Sequence, residues 1–90
     1  MIFFTDHAQE KLDIELEKFN ITRESVTKTI NQPDQILYDT QTNRYVAINH
    51  EEKTATIYEK TGENIHIITI IYSSTLKKIV ENRRQSGRWI

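Results

Sequence analysis

The chain has 90 residues, a formal net charge of −1 and no cysteine, which bounds it to a single domain over residues 1–90 with a small core. Without cysteine there is no disulfide framework, no thiolate metal site and no Cys nucleophile. No run reaches the ~18 apolar residues of a membrane span, and the N-terminus lacks a basic segment followed by an apolar stretch, so a cytoplasmic protein with no membrane partner is expected.

Ile2-Phe-Phe4 reads as a short strand. Thr5 is placed to cap a helix, with Asp6 at the positive end of its dipole. Ala8, Leu12, Leu16 and Phe19 recur at helical spacing and predict an amphipathic helix over 6–19. Asn20 ends it. Thr22 caps a second helix, with Ile21 and Val26 at the positions of a hydrophobic staple. Pro33 closes that helix, because the residue before a proline avoids helical geometry.

From Gln35 the apolar period changes to two. Strands are predicted at 35–39, 44–50, 54–60 and 64–72, joined by turns at 40–43, 51–53 and 61–63 short enough for an antiparallel meander. The last strand is apolar on both faces and should lie centrally, with cover on each side. His66 is expected to share a face with Ile68, Ile70 and Tyr72. Residues 73–85, with a Ser cap and Leu76, Ile79 and Val80 on one side, are predicted to form a third helix. The fold expected is α+β: a short strand, two helices, a four-stranded antiparallel meander and a C-terminal helix, with helices on one face of the sheet. The other face, concave when twisted, is a natural place for a site.

Charge is polarised along the chain. Residues 1–40 carry four basic and eight acidic side chains, whereas residues 76–90 carry Lys77, Lys78, Arg83, Arg84 and Arg88 against Glu81 alone. Such a basic segment can meet phosphates or an acidic protein, or it is a solvated helix.

Four stretches resemble, in order, a small uncharacterised family related to the RelE/ParE-type toxins. They are Phe4-Thr-Asp-His-Ala8 with Lys11-Leu12, then Ile21–Val26 with Ile30–Asp34, then Ile65–Tyr72, and finally Ser86-Gly-Arg-Trp89. The resemblance implies the fold of metal-independent ribonucleases and the role of a toxin in a type II toxin–antitoxin pair. RNA, free or at the ribosome, would be the substrate and an antitoxin protein the partner, with no cofactor. The same superfamily contains ParE-like gyrase inhibitors and non-catalytic binding domains, which are the alternatives.

Metal-free RNA cleavage needs a base for the ribose 2′-hydroxyl, a cation for the phosphorane and an acid for the leaving 5′-oxygen. Histidine serves as either base or acid. His7 and Lys11 stand one turn apart on the first helix, beside the N–H groups of its first turn. They are the leading candidates for proton transfer and phosphate binding, with Thr69, the one hydroxyl in Ile67–Ile71, as support. Packing of His7 and solvation of Lys11 are the plain alternatives. Arg44, Arg83, Arg84 and Arg88 are candidate phosphate ligands, and Tyr72 and Trp89 candidate stacking platforms. Trp89 would equally seal the core. His7, His50 and His66 lack metal-ligand spacing, so no metal is expected.

Overall fold

The computed structural model describes all 90 residues. The chain runs β1 (Ile2–Phe4), α1 (Asp6–Lys11), α2 (Arg23–Asn31), β2 (Gln35–Asp39), β3 (Arg44–Asn49), β4 (Thr54–Thr61), β5 (Asn64–Tyr72) and α3 (Leu76–Gln85). It is an α+β fold with one five-stranded mixed sheet in the order β1-β5-β4-β3-β2.

The first helix forms for the expected reason, since Thr5 accepts a hydrogen bond from the Ala8 N–H. It is not uniform along its length. After Lys11 it widens into a π-helical turn, Leu12–Leu16, and ends in a 3₁₀ turn, Glu17–Phe19. Asn20, at φ 59°, takes the left-handed conformation that stops it. Thr22 and Ser25 cap α2 reciprocally, each side chain accepting from the other residue's N–H.

Two features depart from the sequence reading. The first strand does not stand apart from the meander: β1 pairs in parallel with the free edge of β5, Phe3 opposite His66. A parallel pair requires a crossover between its strands, and the helices and meander between β1 and β5 supply that path. The second departure concerns the face expected to be open. α1 and α2 cover one side with a core of Ala8, Leu12, Leu16, Ile21, Val26, Ala47, Tyr58, Ile67 and Ile70. On the opposite side Leu76 and Val80 of α3, with Trp89, bury Leu37, Val46, Ile48, Ala55 and Ile57. Neighbouring residues Val46 and Ala47 belong to different cores, as strand alternation requires. Helices therefore pack on both faces, because β3, β4 and β5 are apolar on both.

A bulge in β5 alters its facing. Tyr58 pairs with Ile67 and Ile57 with Thr69, so Ile68 has no opposite number. Ile67 and Ile70 then face the α1/α2 core, while Ile68 and Ile71 pack on the α3 side. His66 therefore does not share a face with Ile70 and Tyr72. It stacks on Phe3 across the β1–β5 pair, centroids 5.2 Å apart.

The C-terminal segment returns to the far edge of the sheet. Gly87, at φ 78°, makes the turn, and Trp89 bridges Asp39 in antiparallel fashion. Trp89 is 1% exposed. Its indole N–H and the Arg88 Nε both donate to Asp39 Oδ2, at 3.2 and 3.3 Å, while Oδ1 accepts from the Gln41 and Thr42 N–H groups. Burial alone would raise the Asp39 pKa, but those two backbone donors, the indole and the guanidinium outweigh it and hold the carboxyl below its ordinary value.

Candidate functional site

The chemistry-bearing residues gather where α1 crosses the free half of the β5 edge. β1 ends at Phe4, so beyond Ile67 the edge of β5 has no strand beside it. Thr5 fills this corner. Its N–H donates to the Ile67 carbonyl at 3.1 Å, and its hydroxyl is shared between the Ile67 and Ile68 carbonyls at 3.0 and 3.2 Å. The residue that caps α1 thus also ties it to the bulge, bringing His7 and Lys11 beside Thr69.

The Thr69 hydroxyl lies 3.3 Å from His7 Nε2 and 3.5 Å from Lys11 Nζ, so it hydrogen-bonds to both. The ammonium donates to Thr69 Oγ1; the hydroxyl donates to the His7 nitrogen when that nitrogen is bare and accepts from it when it carries a proton. His7 is exposed, while Lys11 and Thr69 are half-buried. The three groups proposed from the sequence for proton transfer and phosphate binding are therefore brought together.

A shallow cleft of about 220 Å³ opens beside them, lined by His7, Glu10, Lys11, Ile14 and Glu15. Its two carboxylates, Glu10 and Glu15, are not among the residues the sequence singles out. The available signal was the spacing of Glu10 and Glu15 from His7 and Lys11, within helical reach. The π-helical turn that presents Ile14 and Glu15 is a feature often found at functional sites. A second cleft of about 270 Å³ continues past Lys11 and Glu15 to Lys18, Phe19 and Tyr72. There the Tyr72 and Phe19 rings stack at 3.9 Å, 14° from parallel, and Lys18 Nζ lies 5.2 Å from the Phe19 centroid.

The remaining candidates lie elsewhere. Arg44 is held by Glu59 at 2.9 Å. Arg88 is committed to Asp39, and Arg83 sits over the Trp89 ring at 4.9 Å. Trp89 itself is core and offers no ring face to a base. Asp39 and the segment that docks on it belong to the β2 edge, at the other end of the strand order from His7. Arg84 is exposed on α3. The basic C-terminal segment therefore does not join the His7 cluster. No three His, Cys, Asp or Glu side chains converge as metal ligands, and no helix is long and apolar enough to cross a membrane.

Comparison with protein-family models, curated proteins and solved structures finds no match to this chain. The class defined by fold and site is thus an α+β domain carrying an imidazole–hydroxyl–ammonium cluster on a sheet edge.

Proposed function

We propose that the chain is the toxin of a type II toxin–antitoxin pair and cleaves RNA without a metal, as its resemblance to the RelE/ParE-related family implies. The observation that carries this reading is the convergence of His7 and Lys11 on the Thr69 hydroxyl. Three groups of complementary chemistry, from two elements far apart in sequence, meet, and two of them, His7 and Lys11, line a cleft. A simple solvated helix face needs no such convergence.

In the proposed reaction a carboxylate of the cleft, Glu10, takes the proton of a ribose 2′-hydroxyl as that oxygen attacks the adjacent phosphorus. The new P–O2′ bond forms as the P–O5′ bond breaks, and protonated His7 delivers a proton to the departing 5′-oxygen. Lys11 faces the phosphorane oxygens, where its charge matters most at the moment of bond exchange. Thr69 is a positioning residue that holds the imidazole and the ammonium in register. The products are a 2′,3′-cyclic phosphate and a free 5′-hydroxyl. The neighbouring cleft, with Lys18 and the Tyr72–Phe19 stack, supplies a cation and an apolar rim for the flanking nucleotide.

Induction of the chain in bacteria tests the proposal. Growth arrest relieved by His7→Ala or Lys11→Ala, each with unchanged thermal stability, is the expected result. Arrest indifferent to both substitutions points instead to a gyrase-type inhibitor, and absence of arrest to a non-catalytic binding domain.

A further inference from the structure

A third cleft lies on the opposite side of the sheet, between α3, the start of β2 and the turn that follows β3. It is an open concavity of about 340 Å³ lined by Gln35, His50, Lys77, Glu81, Arg84 and Gln85, with Val80 the one apolar residue among them. That volume falls at the small end of the ~300–1,000 Å³ typical of ligand pockets.

Three features of the lining are unexplained by the fold. The His50 Nδ1 atom is buried and has no hydrogen-bond partner, an arrangement that costs free energy unless something else supplies the partner. The His50 backbone N–H is anchored to Asp34 Oδ2 at 2.7 Å, which fixes the residue and leaves its ring nitrogen unanswered. Lys77 and Arg84 project from one face of α3, two turns apart, and neither is paired: the ion pairs of the molecule are Arg44–Glu59 and Arg88–Asp39. Between them stands Glu81, whose carboxylate accepts from Gln85 at 3.5 Å and touches neither cation closely enough to bond.

An ammonium and a guanidinium around one concavity are the donors that recognise phosphate, and the His50 ring lies in the same lining. Glu81 makes the cleft a poor host for a bare dianion. It suits a ligand that also brings hydroxyl or amino donors, for which Glu81, Gln35 and Gln85 are acceptors. We propose that this cleft binds a ribonucleotide, its phosphate on Lys77 and Arg84 and its sugar or base donors on Glu81, with the His50 ring in the wall beside it. The site is distinct from the His7 cluster, which lies at the β1/β5 side of the sheet. Its ligand chemistry is shared by a free nucleotide and by one residue of an RNA strand.

The test is an NMR titration of the ¹⁵N-labelled full chain with three probes: adenosine 5′-monophosphate, adenosine, and a 2′-O-methyl RNA hexanucleotide that cannot be cleaved. The monophosphate is expected to shift the His50 ring nitrogens and the α3 amides around Lys77 and Gln85, with adenosine at least tenfold weaker. The double variant Lys77→Gln, Arg84→Gln, both at exposed positions, is expected to lose at least tenfold in affinity at unchanged melting temperature. A hexanucleotide tenfold tighter than the monophosphate at these signals identifies a strand as the source, and equal affinity identifies the free nucleotide. Equal binding of adenosine and its monophosphate, an unaffected double variant, or shifts confined to His7 and Thr69 would overturn the proposal. The last outcome would leave the cleavage reading standing, so the two fail separately.

Discussion

Thr69 Oγ1 lies 3.3 Å from His7 Nε2 although 62 positions separate the two residues. Nothing local requires the contact. It exists because Thr5 caps α1 and at the same time bonds the carbonyls of Ile67 and Ile68, and because the bulge at Ile68 precedes Thr69. The hydroxyl is thus the test point for whether α1 and β5 form a working unit.

Replacing Thr69 with Val keeps the shape of the side chain and removes the hydroxyl. Cleavage is expected to fall about fivefold, the equivalent of one hydrogen bond of ~1 kcal/mol. Stability measured by urea unfolding should change by less than about 1 kcal/mol. Thr69→Ser should retain most of the activity, since it keeps the hydroxyl.

Trp89 anchors the C-terminal segment. Truncation by Trp89→Ala is expected to cost roughly 3–5 kcal/mol in chemical denaturation, because it empties a fully buried aromatic site. Trp89→Phe should cost less, about 1–3 kcal/mol, the penalty for leaving Asp39 Oδ2 without its indole donor.

The same carboxylate sets an acid limit. Asp39 has a folded-state pKa below its ordinary 3.8, so the folded state favours the ionised form. Its stabilising contribution is complete above the unfolded-state value and is lost as pH falls through the lower, folded one. Thermal melts from pH 6 downward should show wild-type stability declining at the acid end. Asp39→Asn should be less stable near neutrality and flatter across that range.

Thr56 carries a defect that can be repaired. Its side chain is fully buried and its hydroxyl has no partner. Thr56→Val replaces an orphaned polar group with a methyl of similar size. Unfolding is expected to become harder by about 1 kcal/mol, read as a raised urea midpoint at unchanged slope.

Much of the architecture is legible in the residues. The Thr22 cap, Pro33 and the period-two strands each have a local physical cause, and all appear where expected. The two-residue loop Gly62-Glu63 fixes Thr61 opposite Asn64 and, up to the bulge, the register behind it. The bulge itself is invisible in the sequence. Positions 65, 67, 68, 70 and 71 are all isoleucine, so a one-residue slip after Ile67 still leaves isoleucine on both faces. The pairing of β1 is equally hidden, since three apolar residues specify no partner.

The candidate site divides in the same way. His7 and Lys11 follow from helical spacing, and Thr69 from its isolation among isoleucines. The separation of Arg83, Arg84, Arg88 and Trp89 from that cluster follows from a long-range event, the docking of Trp89 on Asp39 fifty residues away. A mixture of cations and one large aromatic reads the same whether it faces a base or seals a core. Burial decides between them, and here the core takes the Trp.

That the His7–Thr69–Lys11 cluster cleaves RNA is checked by incubating the purified chain with end-labelled RNA in excess EDTA. Fragments ending in 2′,3′-cyclic phosphate are expected, formed about 10²–10⁴-fold more slowly by the His7→Ala protein, the usual worth of a proton-transfer group. Intact RNA, or cleavage undiminished in the His7→Ala protein, would contradict it.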